Sequence, residues 1–172
     1  QFAKLEGCQV VGVAGGPEKC QYLTNELNFD AAIDYKAEHD IEMAVAQALP
    51  DGVDLFFDNV GGEILEAALL HLRSSGRIVM CGRISQTAAE SQFGVTNTGL
   101  LIGKRARMQG FIVSDYNGRY DEARQWISKK LKSGELKQRL HILDGLDAAP
   151  NALSMLFKSQ NTGKLVVRVS DA

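Results

Sequence analysis

The chain has 172 residues, of which 45% are hydrophobic and 23% charged, a composition typical of one folded domain rather than of a disordered chain. Its formal net charge is −2, with acidic and basic residues interspersed, so we expect no nucleic-acid partner. The apolar runs are too short to span a membrane, and we expect no membrane partner. Three widely spaced cysteines, Cys8, Cys20 and Cys81, predict free thiols in a reducing compartment, the cytoplasm.

Apolar or β-branched runs alternate along the chain with segments of helical periodicity. The predicted strands are residues 8–15, 31–35, 53–60, 76–82, 107–116 and 164–169. The predicted helices are residues 17–27, 39–49, 62–72, 118–134 and 146–159. Strands that are apolar on both faces and separated by helices predict a mostly parallel sheet covered on both sides, the doubly wound (Rossmann-type) α/β class. Residues 82–99 are polar and without periodicity, which predicts a long loop.

Glycines and polar residues follow four of the predicted strands, at the place where ligands bind in such a sheet. They are Gly15, Gly16 and Lys19 after the first strand, Asp34, Tyr35 and Lys36 after the second, Asp58, Asn59, Gly61 and Gly62 after the third, and Cys81, Gly82 and Ser85 after the fourth. Taken singly, a glycine here is most often a turn former and a lysine a solvated side chain. Four strands that end in the same way favour a ligand site.

The end of the first predicted strand points to a phosphate. In a dinucleotide-binding sheet, an acid after the second strand binds the ribose 2′-hydroxyl of NAD, whereas a basic residue there accommodates the 2′-phosphate of NADP. If residues 8–15 form that second strand, Lys19 pairs with the phosphate dianion. The Tyr35 hydroxyl is a second candidate partner for the phosphate. An alternative of equal weight is that Tyr35 only places a half-buried ring at the rim of the sheet.

Six strings carry a family resemblance, in order, over nearly the whole chain. They are "GCQVVGVAGGPEKCQYL", "FDAAIDYK", "VDLFFDNVGGEIL", "GRIVMCGRIS", "RARMQGFIVSDY" and "NTGKLVVRV". They resemble the cofactor-binding part of the medium-chain dehydrogenase/reductase superfamily. Within it, they are most similar to the zinc-free branch of NADP-dependent 2-alkenal reductases, leukotriene B4 12-hydroxydehydrogenases, prostaglandin reductases and curcumin reductases.

The resemblance implies a domain organisation. The family's first strand, its glycine-rich loop and its catalytic domain would all precede Gln1. We therefore expect an N-terminally shortened NADP-binding domain over residues 1–139. Residues 140–172 are expected to form a C-terminal tail that returns to the catalytic domain.

The resemblance also implies roles for individual residues. Lys19 and Tyr35, with Gly16 beside them, match the positions that hold the 2′-phosphate. The residues implied to lie along the ribose and nicotinamide are Asn59, Cys81, Gly82, Ser85, Phe111, Ile112, Val113 and Asn161. Of these, Phe111, Ile112 and Val113 match a strand beside the nicotinamide, and Asn161 matches a turn that closes over the cofactor. Arg83 stands where the family usually has Ala, and Thr87 where many relatives have a Tyr near the substrate, so the resemblance is weaker on the substrate side than at the 2′-phosphate. No catalytic residue is assigned.

The implied reaction of the whole protein is hydride transfer from NADPH to the β-carbon of an α,β-unsaturated aldehyde or ketone, with protonation at the α-carbon. The cofactor carries the hydride, and the protein orients the substrate and stabilises the enolate. A metal is not expected, because His39, His71 and His141 are far apart in the sequence. The resemblance further implies a homodimer that is joined through the edge strand near residues 107–115.

Two other interpretations stay open at this stage. Zinc-free relatives also oxidise alcohols or reduce quinones by the same hydride step, and this part of the fold contacts mostly cofactor. Alternatively, the 172 residues form a nucleotide-binding or dimerisation module without catalytic activity. We expect the chain to be inactive by itself, and saturable NADPH binding separates a binding module from an inert one.

Overall fold

The computed structural model describes residues 1–87 and 94–170. The strands are β1 (Val11–Ala14), β2 (Ala31–Asp34), β3 (Val53–Asp58), β4 (Leu72–Met80), β5 (Arg107–Gly110), β6 (Leu140–Asp144) and β7 (Lys164–Arg168). The α-helices are α1 (Phe2–Leu5), α2 (Pro17–Gln21), α3 (Ile41–Ala48), α4 (Gly62–His71), α5 (Ile84–Thr87), α6 (Leu100–Lys104), α7 (Tyr120–Lys132) and α8 (Ala149–Phe157). A π-helical turn, Tyr22–Glu26, continues α2, and 3₁₀ helices at Val113–Arg119 and Leu146–Ala148 lead into α7 and α8.

All the strand pairs in the described part of the chain are parallel. β1 pairs with β2, β3 pairs with β4 and β4 with β5, and β6 pairs with β7. This arrangement confirms the predicted α/β class with parallel strands. The described strands form three sheets, because no described strand pairs with the second edge of β1 or of β3.

Helices α3 and α4 share one hydrophobic core with the β1–β2 sheet and the β3–β4–β5 sheet. Asp40 is the N-cap of α3, and its carboxylate accepts the Met43 N–H at 2.9 Å and so caps the first turn. Its apolar face packs against α4 and β2. Ile33 from β2 and Val53 from β3 belong to the same buried cluster as Leu65 from α4. Each such side chain contributes roughly 1.5–3 kcal/mol by leaving water.

Several predicted boundaries are wrong. The strand predicted over 107–116 ends at Gly110, and a 3₁₀ helix follows from Val113. The turn-forming sequence Asp115–Gly118 favours that helix, and the Tyr120 hydroxyl closes it by donating to the Val113 carbonyl at 3.0 Å. The helix α5 interrupts the loop predicted over 82–99, of which residues 88–93 lie outside the described part.

The C-terminal segment adds a strand that the sequence analysis missed. β6 pairs directly with β7, and α8 connects the two strands. Exposed and half-buried residues alternate along β6. The residues just before β6 contact the start of the chain: the Gln1 and Lys137 groups exchange two hydrogen bonds of 3.0 and 2.8 Å, and the Arg139 guanidinium lies 4.6 Å from the Tyr22 ring centroid. The boundary between residues 139 and 140 stays a prediction.

Within the described residues, every helix is too short or too polar to cross a lipid bilayer.

Candidate functional site

Lys19 and Tyr35, which follow β1 and β2, meet at one residue after α8. The Lys19 Nζ donates to the Ser159 carbonyl at 2.6 Å. The Tyr35 hydroxyl lies 3.4 Å from the Ser159 Oγ. Lys19 and Ser159 are half-buried, and Tyr35 is 37% exposed. We call these three residues the Lys19–Tyr35–Ser159 cluster.

Gly16 and Asp34 shape the backbone beside this cluster. Gly16 has φ +96°, a conformation that favours glycine, and its N–H donates to the Asp34 carboxylate at 2.7 Å. Asp34 also accepts the Lys36 N–H at 3.1 Å. These hydrogen bonds, the Gly16 one first, hold the pKa of Asp34 below its ordinary value. A Cβ on Gly16 would have no atom within 4 Å, so the space in front of it is open.

Gly15 allows the Tyr35 ring to reach its position. A Cβ at residue 15 would lie 2.9 Å from the Cε1 and Cζ atoms of Tyr35 and 2.9 Å from the Lys36 Cε. These distances are too short for a real Cβ, so any larger residue would push the ring away. The glycine at the end of β1 is therefore required by a close approach of side chains.

The donor set of the cluster suits a phosphate ester. An ammonium carries three N–H donors, and the Lys19 Nζ uses one of them on the Ser159 carbonyl. The hydroxyls of Tyr35 and Ser159 rotate and can each donate. Charge-assisted hydrogen bonds of this kind are about twice as strong as neutral ones. The Asp34 carboxylate accepts backbone N–H groups, and it is not within ion-pair distance of the Lys19 ammonium.

A second group of predicted residues lies where β3 and β4 end. Asp58 is 1% exposed, and its Oδ1 accepts the N–H groups of Val60 at 2.8 Å and Gly61 at 2.9 Å. Its backbone carbonyl accepts the N–H groups of Cys81 at 2.7 Å and Gly82 at 3.1 Å. Its Oδ2 has no hydrogen-bond partner among the described residues. The buried Asp58 carboxylate thus fixes the turn after β3, and the Asp58 backbone carbonyl holds the end of β4.

Backbone contacts close residues 81–85 onto that turn. A Cβ on Gly82 would lie 3.2 Å from the Asn59 carbonyl oxygen, which leaves little room for a side chain. The Ser85 N–H donates to the Val60 carbonyl at 3.2 Å, and its hydroxyl donates to the same oxygen. Asn59 and Cys81 are exposed. The structure therefore brings Asn59, Cys81, Gly82 and Ser85 together.

Phe111 joins this second group through its ring. Its N–H donates to the Met80 carbonyl at 3.3 Å, and its ring centroid lies 6.2 Å from that of Phe57 and 6.1 Å from that of Tyr116. Ile112–Val113 are 66% and 63% exposed. The strand predicted for these three residues is wrong, because they follow the end of β5. They form an apolar surface beside the second group.

Asn161 lies two residues beyond Ser159 in the turn before β7. Its side-chain amide donates to the Gly163 carbonyl at 2.7 Å. The next residue, Thr162, donates its N–H to the His141 Nδ1 at 3.2 Å. The turn that contains Asn161 is therefore continuous with the Lys19–Tyr35–Ser159 cluster.

In residues 1–87 and 94–170, no group of three or more His, Cys, Asp or Glu side chains is placed to hold a metal ion. The three cysteines are free thiols. Burial, and in second place the charge of Asp34, raise the pKa of the Cys20 thiol, which therefore stays protonated at neutral pH.

Ser159 is not predicted as a site residue from the sequence. It stands at the end of a predicted helix, and its contacts with Lys19 and Tyr35 span 140 and 124 residues. The only local signal is its place just before the "NTGK" turn.

Comparison with known proteins gives concordant matches. The family whose sequence profile matches residues 1–129 is described as zinc-binding dehydrogenase. The 2-alkenal reductase (NADP(+)-dependent) of Nicotiana tabacum is 44% identical over 170 residues, which cover 99% of this chain and 50% of that protein. The (+)-pulegone reductase of Mentha piperita is 43% identical over 170 residues, with 99% and 50% covered.

A solved structure matches as well. The crystal structure of CurA from Vibrio vulnificus in complex with NADPH superposes with a TM-score of 0.91 at 38% identity, and the match covers 99% of this chain and 52% of that chain. The chain thus spans about half the length of the curated relatives it matches.

Proposed function

The chain belongs to the zinc-binding dehydrogenase family, and from that premise we propose that it is the NADP-binding part of a reductase. The whole protein is proposed to reduce the C=C bond of α,β-unsaturated aldehydes or ketones with NADPH. The observation that carries this proposal is the Lys19–Tyr35–Ser159 cluster, which has the charge and the donors that a 2′-phosphate needs. The similarity to a 2-alkenal reductase supports the substrate class.

The cofactor would bind along the carboxyl ends of the parallel strands, where a doubly wound sheet binds its ligand. Lys19 and Tyr35 would hold the 2′-phosphate, and the open space at Gly16 would admit the adenosine ribose. Asp34 keeps the Gly16 N–H engaged and so fixes the loop that borders this space.

The second group would lie along the ribose and nicotinamide. Backbone hydrogen bonds to residues 58–60 hold Cys81, Gly82 and Ser85 beside Asn59, and the close approach of Gly82 to the Asn59 carbonyl leaves little room for a side chain at that point. The apolar residues Phe111, Ile112 and Val113 lie beside these residues and would exclude water from one side of the nicotinamide ring. Asn161 would border the cofactor from the turn before β7.

When bound, NADPH supplies a hydride to the β-carbon of the substrate, and a proton is added at the α-carbon, so that the C=C bond is reduced as NADPH is oxidised. The residues of this chain bind and orient the cofactor. We assign none of them a role in holding zinc, because His39 lies between β2 and α3, His71 ends α4, and His141 lies in β6 and accepts an N–H from Thr162. A cytoplasmic location is proposed because the free thiols suit a reducing compartment.

We also propose a homodimer through the edge of β5 that pairs with no described strand. The Phe111 N–H bonds to Met80 on β4, so the N–H groups of Met108 and Gly110 face the other edge. Gly110 is exposed, and a Cβ there would meet only the Met80 carbonyl oxygen, at an ordinary contact distance of 3.9 Å. Gly110→Pro therefore removes one donor from the outer edge of β5 and none that faces β4. We expect a dimer in sedimentation equilibrium that Gly110→Pro weakens. A protein that is monomeric at all concentrations contradicts the dimer.

An isotope experiment on the whole protein tests the reaction. NADPH that carries deuterium at the transferred position is mixed with a 2-alkenal, and the product is analysed by NMR. We expect one deuterium on the β-carbon of the saturated aldehyde. Deuterium on the former carbonyl carbon would instead identify an alcohol dehydrogenase, and turnover with a quinone but not with the alkenal would identify a quinone reductase.

A further inference from the structure

Ser159 has a backbone conformation that serine seldom takes. Its φ is +54°, in the left-handed region where a side chain is strained. It follows α8, and the N–H groups of Ser159 and Gln160 donate to the carbonyls of Leu156 at 3.1 Å and Met155 at 3.0 Å. This pair of bonds is the Schellman ending of a helix, in which the position of Ser159 is usually occupied by glycine. A serine in this place suggests a use for its side chain.

The two polar groups of Ser159 contact the two residues assigned to the phosphate. Its carbonyl accepts from the Lys19 Nζ at 2.6 Å, and its Oγ lies 3.4 Å from the Tyr35 hydroxyl. The short hydrogen bond to the Ser159 carbonyl fixes the orientation of the Lys19 ammonium. The contact with Tyr35 is long for a pair of hydroxyls, so either O–H can turn toward another acceptor.

We propose that Ser159 determines specificity for the phosphorylated cofactor. Its hydroxyl is a third hydrogen-bonding group for the 2′-phosphate, and its carbonyl orients the Lys19 ammonium toward the same place. Because the Lys19 side chain is already held before the ligand binds, it loses less conformational entropy on binding. This inference rests on the proposed function, and it makes the turn after α8 part of the phosphate site.

Two adenosine ligands isolate the 2′-phosphate from the rest of the cofactor. Affinities for adenosine 2′,5′-bisphosphate and adenosine 5′-monophosphate are measured by calorimetry on the wild-type chain, Ser159→Ala and Ser159→Gly. We expect both variants to bind the bisphosphate roughly three- to tenfold more weakly, because one hydrogen bond to a charged group is lost. Binding of the monophosphate should not change.

A matched control is available at Ser75, another serine with a left-handed backbone, φ +65°, which lies exposed in β4. Ser75→Ala should leave both affinities unchanged. Ser159→Asp places a carboxylate beside the phosphate and should lower the affinity for the bisphosphate further than Ser159→Ala does.

The glycine variant separates a structural role from a binding role. Because glycine relieves the strain at φ +54°, Ser159→Gly should have a Tm no lower than that of Ser159→Ala and still lose affinity. The inference is overturned if Ser159→Gly keeps the wild-type affinity for the bisphosphate, since the hydroxyl then contributes nothing. If the wild-type chain shows no preference for the bisphosphate, the proposed cofactor and this inference fall together; if the preference exists but both Ser159 variants retain it, only this inference falls.

Discussion

The two groups of site residues are built in different ways. At the end of β1 and β2, side chains from distant parts of the chain meet: Lys19 and Tyr35 reach Ser159. At the end of β3 and β4, backbone groups meet: the Asp58 and Val60 carbonyls accept N–H groups from residues 81–85. The first group is held by few and partly exposed contacts, whereas the second group depends on a carboxylate that is 1% exposed.

Because of this difference, we expect substitutions in the two groups to have different effects. A change in the first group should alter which ligand binds and leave the fold intact, because its polar atoms are within reach of water. A change in the second group should alter stability first, because its hydrogen bonds are buried and cannot be replaced by water.

The largest expected effect is at Asp58. Asp58→Ala leaves the N–H groups of Val60 and Gly61 without their acceptor, and we expect a loss of roughly 2–4 kcal/mol in the free energy of unfolding. Asp58→Asn keeps an acceptor oxygen and should lose less than about half of that. Urea unfolding followed by circular dichroism measures both. Equal losses in the two variants would show that the hydrogen bonds to Oδ1 are not what stabilises the turn.

Lys19→Ala comes next and should act on binding. Removal of the ammonium is expected to weaken NADPH binding by about 2 kcal/mol, or more than tenfold, and to leave NADH binding unchanged. Lys132→Ala, on the exposed end of α7, removes the same charge far from the cluster and serves as the control. If Lys132→Ala weakened NADPH binding as much as Lys19→Ala, the effect would belong to net charge and not to the cluster.

A smaller effect is expected at Tyr35. Tyr35→Phe removes one hydroxyl and should weaken NADPH binding by about 1 kcal/mol, several-fold, with little change in stability. Gly15→Ala leaves the hydroxyl in place but pushes the ring away, so calorimetry should show a similar loss. A loss with Gly15→Ala and none with Tyr35→Phe would mean that the ring, and not its hydroxyl, contributes to the site.

The smallest effect concerns pH. The pKa of Asp34 is lowered in the folded protein, chiefly by the Gly16 N–H, so its contribution to stability is full above the ordinary aspartate pKa of about 3.9 and is lost as the pH falls through the lower folded value. The stability difference between wild type and Asp34→Asn should therefore be constant near neutral pH and narrow in acid. Thermal unfolding over a pH series measures it. A difference that stays constant into strong acid would contradict this assignment.

The sequence predicts much of the fold because the relevant signals are local. Largely apolar runs such as residues 10–14 and 53–57 predict parallel strands, and the structure places β1 and β3 there. The expected burial on both faces fails for β3, in which Leu55 and Phe57 are 59% and 54% exposed. The β6 strand was missed because its partner β7 lies beyond α8 and its own sequence is short and mixed. The strand predicted over 107–116 is too long because the β-branched residues Ile112 and Val113 favour a strand locally, although β5 ends at Gly110 and a 3₁₀ helix begins at Val113.

The candidate site was predictable only where it follows a strand. Lys19 and Tyr35 could be paired in advance because parallel strands bring their carboxyl ends to one edge. Ser159 could not, because its contacts depend on where α8 packs and on a left-handed backbone that the sequence gives no reason to expect at a serine. The buried state of Asp58 likewise follows from packing that no local pattern encodes.

The affinity of the wild-type chain for NADPH against NADH, measured by titration calorimetry in one buffer, tests the central claim most directly. The Lys19–Tyr35–Ser159 cluster predicts that NADPH binds at least tenfold more tightly, since the two cofactors differ only in the phosphate that the cluster is proposed to hold. Equal affinities for the two cofactors would contradict the claim.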